Sequence, residues 1–180
     1  CYNMIEEICN KAGWALIVLG IDPGYAILGY GVIEVLSTGL SVVDYGIIET
    51  SEHSSFPQRF DRLHSGSALL IEKYRPSQVA FEELFFRRNV TTAIQVGAGR
   101  GVAILSAQQS GLPLYEYTPM QIKLAVTGNG HADKHQVQHM VRALLRLNDF
   151  PKPDDAADGL AVAICHSHTT GPVREEYRIK

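Results

Sequence analysis

Residues 15–50 read ALIVLGIDPGYAILGYGVIEVLSTGLSVVDYGIIET, and this stretch decides the fold. Residues 15–21 are almost wholly apolar, the pattern of a strand buried on both faces. Residues 29–35 and 41–50 follow with strand composition, and Ser37-Thr38-Gly39 supplies a turn between them. Three strands in succession, with no helix between them, predict an antiparallel meander. They also set the chain apart from a regular doubly wound nucleotide-binding fold, in which helices alternate with strands.

Downstream the period changes. Phe60, Leu63, Leu70 and Tyr74 fall at helical spacing in residues 56–74, ahead of Pro76. Residues 78–82 read as a short strand, 90–109 as a long helix and 114–117 as a fifth strand. Helices are expected at about 118–126, 133–147 and 154–167. The order β-β-β-α-β-α-β-α-α-α gives an α/β protein with a mixed five-stranded sheet flanked by helices. Residues 15–170 are expected to form one domain, residues 1–14 an N-terminal extension outside it, and residues 171–180 a C-terminal tail.

Composition bounds the function. With 180 residues, 46% hydrophobic content and a net charge of −3, the chain has the apolar content of a packed domain rather than of a disordered segment. The apolar run at 15–21 stops at Asp22, far short of the roughly 20 residues that span a bilayer. Glu6 and Glu7 stand where a secretory signal would carry its basic region. Cys1, Cys9 and Cys165 offer no close pairing, which suggests a reducing compartment, and a cytoplasmic protein is expected. Charge is unevenly spread. Residues 1–83 hold 5 Lys/Arg and 11 Asp/Glu, residues 84–146 hold 7 and 2, and residues 147–180 hold 4 and 6. A basic middle in an acidic frame suits a polyanion held by one part and processed by another; on charge alone, an ordinary solvated surface is the simpler explanation.

Four acids stand out by position. Asp22 follows the buried first strand and precedes Pro23-Gly24, so its carboxylate falls at a sheet edge, either as a turn-forming Asp or as a ligand. Glu82 ends the fourth strand, and alternation lets only one of Glu82 and Glu83 share a face with Asp22. Asp155 and Asp158, at i, i+3, share one face at the start of the last helix, where Asp154 is expected to act only as a cap. Oxygen-only donors of this kind suit Mg²⁺ or Mn²⁺, and two such ions about 4 Å apart can clamp an in-line phosphoryl displacement. No Gly-Lys-Ser/Thr phosphate loop occurs. Gly97-Ala98-Gly99-Arg100-Gly101 falls inside a helical stretch, where glycines favour close packing, including against a second subunit. Cys165-His166-Ser167-His168 has no second ligand pair to complete a zinc site.

The blocks IVLGIDPGYAILGYG (17–31), FEELFFRRN (81–89), YEYTPMQIK (115–123), QVQHMV (136–141) and DAADGL (155–160), in this order, resemble the RuvC family of bacterial Holliday-junction resolvases. The resemblance spans about residues 16–168. It implies a ribonuclease H-like fold, a homodimer, and metal-dependent endonuclease cleavage of two opposed strands of four-way junction DNA. In-line attack by water would leave 5′-phosphate and 3′-hydroxyl ends. The resemblance assigns Asp22, Glu82, Asp155 and Asp158 as catalytic carboxylates holding Mg²⁺ or Mn²⁺, two ions per site. It sets Phe85, with Phe86, against bases at the junction centre beside Arg87 and Arg88, and Lys123 and Lys134 close to the cleaved strand. Arg100, His135 and Arg142 are either phosphate contacts or solvated helix faces. Handover from the RuvA and RuvB branch-migration complex is implied as well. Competing readings are a hybrid nuclease or integrase core of the same fold, an actin-like ATPase, and a junction-binding module without cleavage.

Overall fold

Strand β1 (Leu16–Asp22) pairs antiparallel with β2 (Ile27–Leu36), and β2 with β3 (Gly39–Glu49), as the meander requires. Helix α1 (Phe56–Tyr74), strand β4 (Gln78–Glu82), helix α2 (Val90–Gln109) and strand β5 (Leu114–Tyr117) follow. Helices α3 (Pro119–Thr127), α4 (Lys134–Leu144), α5 (Asp154–His168) and α6 (Gly171–Glu176) complete the chain. The sheet order is β3-β2-β1-β4-β5, with β4 parallel to both β1 and β5. This is the mixed α/β sheet expected from the sequence. The computed structural model describes residues 16–84 and 90–180. Among them, no helix is long and apolar enough to cross a membrane.

Because β1 is central, both of its faces are covered. Leu19 and Ile21 pack with Leu63 and Ile71 of α1 and Ala103 and Ala107 of α2. Val18 packs on the opposite side with Leu160 and Ile164 of α5 and with Val137 and Val141 of α4. Helix α5 meets the sheet backbone to backbone. A Cβ on Gly20 would lie 2.4 Å from Ala163 N and Gly159 O, one on Gly31 2.5 Å from Leu160 Cα, and one on Gly159 2.5 Å from the carbonyl carbon of Tyr30. Glycines on both partners therefore set how closely the helix that carries Asp155 and Asp158 approaches the strand that carries Asp22.

Two elements differ from the sequence reading. Helix α4 ends at Leu144 rather than near 147, although the apolar spacing continues through Leu145 and Leu147. Arg146 adopts φ 52, and the amides of Arg146 and Leu147 close back on the carbonyls of Ala143 and Arg142. A left-handed arginine leaves no compositional trace. Residues 171–180, expected as a tail, form α6 and then run along β5. Glu116 N–H donates to Tyr177 O and Ile179 N–H to Leu114 O, both at 2.9 Å. The segment covers what would otherwise be an open sheet edge. Pro172 at the start of α6 was the readable signal.

Candidate active site

Parallel pairing of β1 and β4 runs in the register Ile21↔Phe81, so the next residues, Asp22 and Glu82, end neighbouring strands side by side. Glu82, and not Glu83, shares the side of Asp22. Both acids line a cavity of about 330 Å³ together with Asp158, Lys123 and Lys134, over apolar walls that include Ile122 and Val137. The backbone amide of Glu83 instead donates to Tyr117 O at 2.8 Å. Asp155 lies one turn before Asp158, with its carbonyl against Gly29, and its charge acts on Asp22.

Capped helix starts position both lysines. In α3, Gln121 N–H donates to Thr118 Oγ1 and Thr118 N–H to Gln121 Oε1, at 3.3 and 2.8 Å. In α4, Gln136 N–H donates to Asp133 Oδ1 and Asp133 N–H to Gln136 Oε1, at 2.8 and 2.9 Å. These reciprocal boxes fix the starts of the two helices from which Lys123, in the second turn of α3, and Lys134, at the first position of α4, reach the cavity. Lys134 Nζ lies 3.2 Å from Asp158 Oδ2 and 3.6 Å from Asp154 Oδ2. Asp154 stands in the first turn of α5, where its charge complements the dipole as expected, but it is not confined to that role: Pro153 is the N-cap residue, without a side-chain cap bond, and the Asp154 carboxylate faces Lys134.

Negative charge is in excess here, and the acidities record it. Burial, reinforced by the charges of Asp158 and Asp155 and opposed by Lys134, pushes the Asp22 carboxyl up to about 7. Burial, with Asp22 and Asp158 and against Lys123, pushes Glu82 up to about 8. Asp158 is also raised, by burial, although Lys134 pulls the other way. Oxygen-only donors holding more negative charge than two lysines can balance are suited to a hard divalent cation. Among the described residues, no three His, Cys, Asp or Glu side chains are already closed around one point; at Asp158 the partner is the Lys134 ammonium.

Other expected site residues fall elsewhere. Phe85, Phe86, Arg87 and Arg88 lie outside the described residues. Arg100 is not brought to the cavity: its guanidinium pairs with Glu116 of β5. Arg142 lies over the Phe150 ring at 5.0 Å, and His135 packs on the same ring. Cys165 and His166 are buried within the fold, with His166 bonded to Tyr117 and Gln78. The sequence reading missed Asp154 as a partner of Lys134. The i, i+4 spacing of Asp154 and Asp158 was a signal for it, but only the fold brings α4 beside them.

Comparison with known proteins bears on this arrangement. A family described as crossover junction endodeoxyribonuclease RuvC matches residues 18–166. A crossover junction endodeoxyribonuclease RuvC from Desulfitobacterium hafniense is 55% identical over 154 residues, covering 86% of this chain and 93% of the relative. Its counterpart from Rubrobacter xylanophilus is 56% identical over 151 residues, covering 84% of each. The structure of T. thermophilus RuvC in complex with Holliday junction substrate matches with a TM-score of 0.78 at 34% identity, over 85% of this chain and 94% of that one.

Proposed function

The chain belongs to the RuvC family of crossover junction endodeoxyribonucleases, and from that premise we propose that it resolves four-way DNA junctions by metal-dependent hydrolysis of two opposed phosphodiester bonds, leaving 5′-phosphate and 3′-hydroxyl ends. Its ribonuclease H-like sheet is that of the matched resolvase structures. The observation that carries the reading is the meeting of Asp22, Glu82 and Asp158 in one cavity with Lys123 and Lys134. Asp22, Glu82, Asp155 and Asp158 are the groups that would hold Mg²⁺ or Mn²⁺, two ions per site, whose charge when bound acidifies a water and stabilises the leaving oxygen. Lys123, beside Glu82, and Lys134 hold the scissile phosphate. Phe85 and Phe86 stack on unpaired bases at the junction centre, worth about 1–3 kcal/mol per base, with Arg87 and Arg88 on the flanking phosphates.

Two opposed nicks call for two sites related by a two-fold axis. The outer face of α2 supports a homodimer. Ile94 and Leu105 are exposed apolar residues on it, and Gly97 and Gly101 have open space where a Cβ would sit. Handover from the RuvA and RuvB complex and action in the cytoplasm complete the proposal. Cleavage of a labelled mobile four-way junction, with and without Mg²⁺ or Mn²⁺, tests it. We expect paired symmetric nicks that depend on metal. Asp22→Asn and Asp155→Asn should lose cleavage by at least about 10²-fold yet retain junction binding, because the basic region is untouched. Cleavage of RNA–DNA hybrids in preference to junctions would overturn the reading, and binding without nicks would reduce the protein to a junction-binding module.

A further inference from the structure

The Lys134 ammonium bridges two carboxylates one turn apart on α5: Asp158, which lines the cavity, and Asp154, which does not. Asp154 is the more exposed of the two, at 63% against 27%. It caps no helix, and Lys134 is the side-chain partner the structure gives it among the described residues. The backbone at Lys134 is pinned by the Asp133–Gln136 box, while its side chain, on a four-carbon stem of rotatable bonds, is half exposed. A divalent cation on Asp158 and an ammonium 3.2 Å from the same oxygen would repel each other strongly in a partly buried site.

Resting on the reading that these carboxylates hold divalent cations, we propose that Lys134 is the built-in counter-ion of the metal-free cavity and that Asp154 is the positioning residue that takes its ammonium over when a cation claims Asp158. The exchange is a short one, because the ammonium already stands 3.6 Å from Asp154. It is also cheap, because a solvated ion pair contributes little by itself. Its effect is to keep the lysine at the cavity rim, where a substrate phosphate arrives, rather than lose it to solvent. Asp154 thus acts through Lys134 and touches neither metal nor substrate.

The test is calorimetric titration of the full chain with Mn²⁺ alone, without DNA, comparing the unmodified protein with Lys134→Met, Asp154→Asn, Asp154→Glu and the Lys134→Met/Asp154→Asn pair. Lys134→Met should bind Mn²⁺ about tenfold more tightly, since one like charge has left the site. Asp154→Asn should bind about threefold more weakly in the native background and be nearly silent beside Lys134→Met, the coupling expected of residues that act on each other. Asp154→Glu should restore native affinity. Equal weakening by Asp154→Asn in both backgrounds would mean a simple field effect and overturn the role of Asp154. Unchanged or weaker binding by Lys134→Met would overturn the counter-ion. Absence of saturable Mn²⁺ binding by the unmodified protein would instead sink the metal reading along with this one. Thermal melts of each variant confirm that the folded chain is being compared.

Discussion

His166 is fully buried and bonded at both ring nitrogens: Nδ1 lies 2.7 Å from the Tyr117 hydroxyl and Nε2 2.7 Å from Gln78 Oε1. Gln78 Oε1 also accepts from Arg174 at 3.2 Å. An amide oxygen only accepts, so Nε2 carries a proton; the burial that keeps the ring neutral then leaves Nδ1 to accept from the Tyr117 hydroxyl. Burial, aided by the Arg174 charge, pushes its pKa down to about 3. The unfolded chain therefore takes up a proton near pH 6.5 that the folded chain refuses, and stability falls as pH drops from about 6.5 towards 3. Urea unfolding of the native protein and His166→Asn at a series of pH values should show a shallower acid dependence in the variant. The difference should approach about 1.4 kcal/mol per pH unit over the middle of that window. Parallel curves would mean that the ring protonates in the fold. The carboxylates of the cavity are common to both proteins, so the comparison isolates the imidazole. At this scale Asp22 was legible, because a charge that ends a buried strand needs a reason. The partner of Lys134 was not, because side chains 20 residues apart meet only through helix packing.

Helix α5 shows the same division for an element. Its start and direction were readable from Pro153 and the small, apolar run after Asp158, and it spans Asp154–His168 as expected to within one residue. How closely it lies on the sheet depends on glycines on two separate elements meeting each other. Gly159→Ala would drive a Cβ to 2.5–2.7 Å from the Tyr30 backbone, which no side-chain rotation relieves. We expect a loss of about 2–3 kcal/mol, as for overpacking against rigid backbone. Cleavage should fall well beyond what that loss of stability explains, since Asp155 and Asp158 ride on the displaced helix. Melting curves and junction cleavage on the same samples decide the matter; native stability together with native activity would show that the helix is not seated by that contact.

For the whole molecule, the proposed homodimer is tested at the exposed face of α2, where Ile94 and Leu105 stand. Replacing Ile94 and Leu105, 65% and 50% exposed, with Glu puts charge on the outer face of α2. Sedimentation equilibrium should then report a monomer, thermal melting should show that it is still folded, and junctions should receive unpaired single nicks. A dimer that survives both substitutions would place the two-fold axis on another face. The uneven charge along the chain is partly resolved by the fold as well. Lys123 and Lys134, from the basic middle, come to stand beside Asp22, Glu82 and Asp158 of the acidic ends. Arg100, from the same middle, is instead taken up by Glu116.

The sequence by itself determined the strand meander and the order of the elements, and it singled out Asp22, Glu82, Asp155 and Asp158 as candidates, because these rest on local signals: apolar runs, alternation, a charge where a strand must end, and i, i+3 spacing at a helix start. It also carried the family resemblance, through blocks spread along nearly the whole chain. Tertiary structure alone decided that residues 171–180 close the edge of β5, that Arg100 is taken up in an ion pair, and that Lys134 sits between Asp154 and Asp158. Each of these outcomes depends on the distance between elements far apart in the chain. That distance is fixed by backbone close-packing and register, quantities that no single stretch of residues contains.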